Sequence, residues 1–223
     1  IVLLCTYFCC KKEELKSEVI LKEDVLQPHV QLEGKPTYID STSLISFHNK
    51  VLTDFYKSTN YRTVWQSKEK REVILDKLFK SDQEGLNPED YNIGKLFDIE
   101  KKATILDSLD LAKYDILLTS SLQKYISHLT NGRLNPLKLY KNWDLKENEI
   151  DINATVVQLL QSDSLAYKIE QLKPNHIVYK KLKKALQLIN TFPKDNFKPI
   201  KFTKTILAND TNPSVIDITK RLI

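Results

Sequence analysis

The run "DILLTSSLQKYISHLTNGRLNP", residues 115 to 136, decides the fold class of this chain. It belongs to a longer stretch, Leu109 to Thr130, in which Ile116, Leu117, Leu122, Tyr125, Ile126 and Leu129 recur at helical spacing. That period lays one apolar stripe along a helix, which predicts a long helix facing a core. Asn131-Gly132 supplies a stop, with Gly132 expected to take the left-handed cap that a residue with a Cβ adopts only with strain. Pro136 keeps the helix from resuming at once. Arg133 follows the glycine with five donors, enough to hold the last helix carbonyls or an acid on a neighbouring helix. A structural role, not a substrate contact, is the expectation for it.

Other segments carry the same period. Leu44, Ile45, Val51, Leu52 and Phe55 predict helix from Ser41 onward, and "NYRTVW" (60 to 65) suits a short extended connector. Ser67 is a candidate cap for a helix with Val73, Ile74, Leu78 and Phe79 on its apolar face, ending near Gly85. In "NPEDY", Asn87 reads as the cap of a further helix, with Pro88 at its first position. Asn153 opens "NATVVQLLQS", and Asp163 or Ser164 opens "SLAYKIEQL". After Pro174, Ile177, Leu182, Ala185, Leu186 and Ile189 share one face of a helix whose other face is lysine-rich. "FKPIKFTKTIL" reads as an extended exit, and Asn212-Pro213 opens a last short helix. The expected class is all-α, a multi-helix bundle with short extended connectors.

Composition agrees with that reading. The chain has 223 residues, 41% of them hydrophobic and 28% charged, the balance of a globular protein with a sizeable core. Only 4 glycines and 8 prolines punctuate it, which disfavours a turn-rich β fold. The net charge of +5 is uneven: Lys168 to Lys204 holds 10 lysines against Glu170 and Asp195, leaving −3 for the rest. Such a run is read first as a solvated face, and second as a contact for an anionic polymer or membrane surface. No helix-turn-helix, zinc-finger or aromatic RNA-binding motif accompanies it, so no nucleic-acid partner is expected.

Cys5, Cys9 and Cys10 all lie in the first ten residues, and there is no methionine, so the chain reads as a fragment or trimmed product. "IVLLCTYFCCKKEE" is uncharged for ten residues, too few to span a bilayer. It fits the tail of a signal peptide, and an apolar run ending in cysteine resembles a bacterial lipoprotein signal with Cys10 as the candidate for lipidation. The end of a membrane anchor and a buried strand are the competing readings. Either export reading puts the body outside the cytoplasm, on the periplasmic side of an envelope membrane. Residues 1–10 are then a partial signal or anchor, 11–38 a polar tether, 39–204 the helical domain, and 205–223 the start of another module.

No constellation for chemistry emerges along the chain. His29, His48, His128 and His176 are scattered without metal-ligand spacing, and His128 reads as a surface or half-buried residue beside a core. Four dispersed glycines make no phosphate loop, and pairs such as Glu13-Glu14 or Asp107-Asp110 read as helix charges. Tyr125, Tyr140 and Trp143 are read as core anchors. No metal and no cofactor are expected.

The order of motifs says more than any one of them. "FYKSTNYRTVW" (55 to 65), "GLNPEDY" (85 to 91), the opening stretch and "YKKLKKAL" (179 to 186) follow one another. The set resembles the helical scaffold domain that precedes the catalytic domain of the large, YcbB-like L,D-transpeptidases of Gram-negative bacteria. The residues that carry the resemblance are Trp65, Gly85, Tyr91, Gly132, Arg133 and Pro136, with Trp143 where a further tryptophan commonly follows. "ANDTNPSVIDITKRLI" resembles the link into the peptidoglycan-binding-like module of those enzymes. The resemblance implies a parent enzyme that cross-links peptidoglycan stems through a serine-histidine-glycine-cysteine motif, which this chain lacks. The expected partners are that catalytic domain, peptidoglycan or envelope proteins, and the membrane through the N-terminal anchor. A lipoprotein interaction module with no enzyme attached is the alternative.

Overall fold

A computed structural model of the chain describes residues 35–142, 149–192, 199–200, 205–209 and 211–222. Cys10, His29 and Trp143, and with them the anchor and tether expectations, lie outside the described residues, as does most of the expected extended exit. Among the described residues every regular element is helical, and a single antiparallel bridge, Tyr38 with Arg62, is the β pairing. The chain is all-α. Two compact units are distinguished, one drawn from residues up to 82 together with 86–173, the other from 83–85 together with 174–223.

The first unit begins with α1 (Ser41–Ile45) and α2 (Lys50–Ser58). The apolar period does run through both, but His48 at φ 47° breaks the helix between them and Asn49 recaps it, its side chain accepting from the Leu52 N–H. Ile45 and Val51 are accordingly exposed, and Leu44, Leu52 and Phe55 form the buried face. Asn60 and Tyr61, both at positive φ, turn the chain into the extended connector. There the Ile39 N–H donates to Tyr61 O (2.7 Å) and the Thr63 N–H to Thr37 O (2.9 Å).

α3 (Lys68–Phe79) starts at Ser67, whose side chain accepts from the Lys70 N–H as its position suggested. Its buried residues are Ile74, Leu75 and Leu78, with Phe79 more than half exposed, so the inward face is rotated by one residue from the expected one. A 3₁₀ turn, Lys80–Glu84, precedes Gly85 at φ +75°. Asn87 caps "PEDY" as expected, but the result is a four-residue 3₁₀ turn, closed by Asn92 in the left-handed region (φ 54°, ψ 31°). α4 (Ile93–Glu100) then begins anew.

α5 (Ser108–Asn131) is the 24-residue axis of this unit and packs against α2, α3, α4, α7 (Ile152–Leu160) and the turn at Pro88–Tyr91. Every apolar residue expected inward on it is buried. Asp115, Thr119, Ser121 and Gln123 are buried too, so helices cover α5 on more than one side. α6 (Pro136–Leu139) follows the Gly132 break, and Tyr140 beyond it is 60% exposed, which corrects its assignment as a core anchor. α7 is capped by Asp151, not Asn153: the Asp151 side chain accepts from the Ala154 N–H, while Asn153 Nδ2 donates to Val51 O. α8 (Leu165–Gln171) packs on α3, where Lys77 and Lys173 both reach Glu170 (2.6 and 2.5 Å).

The second unit contains α9 (Ile177–Asn190) and α10 (Ser214–Leu222). His176 caps α9, its Nδ1 accepting from the Val178 N–H, and Asn212 accepts from the Ser214 N–H ahead of α10.

Candidate functional site

One turn apart on α5, Asp115 and Thr119 point the same way and meet the connector and α2. Asp115 Oδ1 accepts from the Tyr56 hydroxyl (2.6 Å), and Oδ2 from the backbone N–H groups of Val64 and Trp65 (both 2.8 Å). Thr119 Oγ1 accepts from the Trp65 indole (2.9 Å) and shares a hydrogen bond with the Tyr56 hydroxyl (2.7 Å). Burial pushes the Asp115 carboxyl up to about 6, while the Tyr56, Trp65 and Val64 donors pull it back down. Burial, and then the Asp115 charge, raises the Tyr56 phenol well above its usual range.

Beside this cluster, Arg71 forks onto Glu100, with Nε and Nη2 each 3.0 Å from a carboxylate oxygen. Its Nη1 reaches the carbonyls of Trp65 and Gln66 (both 2.9 Å), and Tyr114 donates to Glu100. A cavity of about 270 Å³ opens here, lined by Thr37, Thr63, Gln66, Arg71, Tyr114 and Asp115. Both Asp115 oxygens are occupied by donors of the protein's own frame. The arrangement fastens the connector to α5.

A second cluster stands at the end of α5. Tyr91, fully buried, meets Tyr125 edge-on (centroids 5.4 Å) and hydrogen-bonds His128 Nδ1 (3.0 Å). Burial, and then the charge of Asp90, pushes the Tyr91 phenol up to about 12. His128, half-buried, is held below its usual range by burial and by Lys124. Arg133 Nε lies 2.6 Å from Asp90 Oδ2, an ion-pair contact without hydrogen-bond alignment, while Nη2 donates to Oδ1 at 3.5 Å. The Gly132 N–H closes α5 on His128 O (3.0 Å). Arg133 is half exposed, so Arg133→Ala should lower the unfolding free energy by less than about 1 kcal/mol. Denaturant titration checks this, and a loss of several kcal/mol would contradict it.

The residues singled out in the sequence therefore separate. Trp65 belongs to the Asp115 cluster, and Tyr91, Gly132 and Arg133 to the end of α5. Pro136 starts α6, and Gly85 belongs to the second unit. Asp115, Thr119 and Tyr56 carry the deepest polar contacts and were not singled out. Their signal was an acid and a threonine four residues apart inside an apolar run, the spacing of one helix face. Among the described residues, no group of three or more His, Cys, Asp or Glu is placed to hold a metal ion, and no helix is long and apolar enough to cross a membrane.

In the second unit, α9 uses one side internally: Tyr179 and Lys183 both reach Glu84 (2.5 and 2.6 Å). Along another side run Val178, Leu182, Ala185 and Ile189, spaced 4-3-4 and all exposed, Leu182 by 64%. Of the expected apolar face, Ile177, Leu182, Ala185 and Ile189 are exposed among the described residues, while Leu186 is half-buried. Lys180, Lys181 and Lys184 are exposed as well, and α9 contains no acid.

A family model described as "Scaffold domain" matches residues 50–186, more than half of the chain. No curated protein and no solved structure matches it.

Proposed function

Given that the chain belongs to the scaffold-domain family, we propose that it is a helical protein-interaction module of the bacterial cell envelope. The observation that carries this reading is the exposed stripe Val178-Leu182-Ala185-Ile189. Its 4-3-4 spacing is that of a seam two helices share, and the lysines around it favour an acidic amphipathic helix as partner. A photo-crosslinking residue at Leu182 should trap a discrete protein partner in cells, and one at Lys184 should trap it far less. Equal yields at both positions would sink the reading.

A narrower reading rests on the ordered motif set from Trp65 to Pro136. In it, the module is the scaffold portion of an L,D-transpeptidase and holds a catalytic domain that cross-links peptidoglycan. Deleting the gene should then lower the transpeptidase-type cross-links in cell-wall digests. Unchanged cross-links would remove the enzyme and leave the interaction module standing. Attachment through a lipidated Cys10 accompanies either reading, because buried acyl CH₂ groups contribute about 0.8 kcal/mol each. Cys10→Ser in the full precursor should release the protein or leave it unprocessed, with Cys9→Ser tolerated. Mass spectrometry of the mature N-terminus decides the point.

A further inference from the structure

Away from the Asp115 cluster, the first unit holds a larger cavity of about 490 Å³. Its walls come from α1 and the link after it, from α4 and from the start of α5, and combine an apolar patch of Phe47, Ile99, Leu106, Ile116 and Leu117 with five polar side chains. The volume lies in the range of small-molecule pockets, roughly 300–1,000 Å³. A helix about 10 Å across does not enter it. Three large apolar residues, each next in sequence to a lining residue, are exposed: Ile45 by 67%, Ile105 by 80% and Leu109 by 54%.

The polar groups at this cavity are unequal. The Ser46 hydroxyl donates to Ser43 O, and Asp110 is paired with Lys113 (3.1 Å). Lys95 lines the cavity, is exposed, and makes no ion pair among the described residues. A polar heterocycle laid on the apolar patch would leave its donors and acceptors unmatched. A chain of methylenes would not, and one negative charge at its end would meet Lys95.

We propose that this cavity binds a single acyl chain with an anionic head, taken from solution one molecule at a time. The occupant is an amphiphile of fatty-acid type, its chain against Ile99, Leu106 and Leu117 and its head at Lys95. The inference does not depend on the α9 reading.

The test uses cis-parinaric acid, an intrinsically fluorescent fatty acid, titrated into the purified protein below its micelle concentration. Saturable binding near one per chain is expected, with displacement by dodecanoate and much weaker displacement by dodecanol. Lys95→Glu should weaken binding about tenfold by reversing the charge that meets the head. Ser46→Phe should weaken binding by occupying part of the cavity from an exposed position, with the unfolding midpoint unchanged. Leu182→Asp on α9 should leave binding intact, so failure here and failure of the interaction module are told apart. Absence of saturable binding overturns the proposal, as does equal competition by dodecanol or no effect of Lys95→Glu. Protein that floats with phosphatidylglycerol vesicles yet takes up no parinarate would assign the cavity to a membrane surface instead.

Discussion

Asp115→Ala should lower the unfolding free energy by about 4 kcal/mol at neutral pH. The carboxylate is 3% exposed and receives the Tyr56 hydroxyl and the Val64 and Trp65 N–H groups. Alanine would leave the buried Val64 and Trp65 N–H groups without their acceptor and the Tyr56 hydroxyl with Thr119 as its remaining partner. Asp115→Asn separates shape from charge. Because burial raises the folded carboxyl to about 6 from an ordinary 3.8, the folded chain binds more protons than the unfolded one between those values. Stability from this group therefore falls as pH rises from about 4 to about 6 and is level above. Asparagine does not titrate, so the gap between the parent chain and Asp115→Asn should be wider at pH 4 than at pH 7, by roughly 2–3 kcal/mol. Urea titrations at the two pH values measure it. A gap independent of pH would mean that Asp115 is ionised throughout, and a loss below about 1 kcal/mol for alanine would mean that the connector is held by something else.

Gly132→Val should cost about 2–3 kcal/mol, for a reason that contacts do not reveal. Gly132 sits at φ 84°, ψ 160°, a region that residues with a Cβ hardly enter, and not in the left-handed helical region expected of an ordinary cap. A Cβ built there meets nothing within 4 Å, so the whole cost is backbone strain. Alanine should recover only part of it, because strain at positive φ needs only a Cβ. Differential scanning of the three variants gives the order glycine, alanine, valine. Identical midpoints would show that the turn after α5 relaxes into an ordinary conformation at no cost.

Much of this architecture could be read from local sequence, and the limits of that reading have physical causes. The long apolar period of Leu109 to Thr130 required a core helix, and Ser67 and Asn87 marked their element starts through side chains that accept nearby N–H groups. These are short-range effects. Whether Asn87 opened a helix or a single 3₁₀ turn depended on Asn92, which takes a left-handed conformation and donates through Nδ2 to Ser121 on α5 (3.3 Å). Asp151 displaced Asn153 as cap because Asn153 is drawn to Val51 O and to Gln123, residues far away in the chain.

The same division holds for the sites. Local pattern suffices for an all-α chain, a glycine stop after α5 and an amphipathic α9, because periodicity and backbone freedom act over a few residues. Long-range packing sets Asp115 and Thr119 to lock the connector to α5, since their partners Tyr56, Val64 and Trp65 are fifty or more residues away. It also decided which apolar stripes are used. Periodicity gives α5 and α9 similar faces, but α5 is surrounded by α2, α3, α4 and α7, while the stripe on α9 stays exposed. Burial belongs to the neighbours that the fold brings to a helix, and no window of sequence contains them.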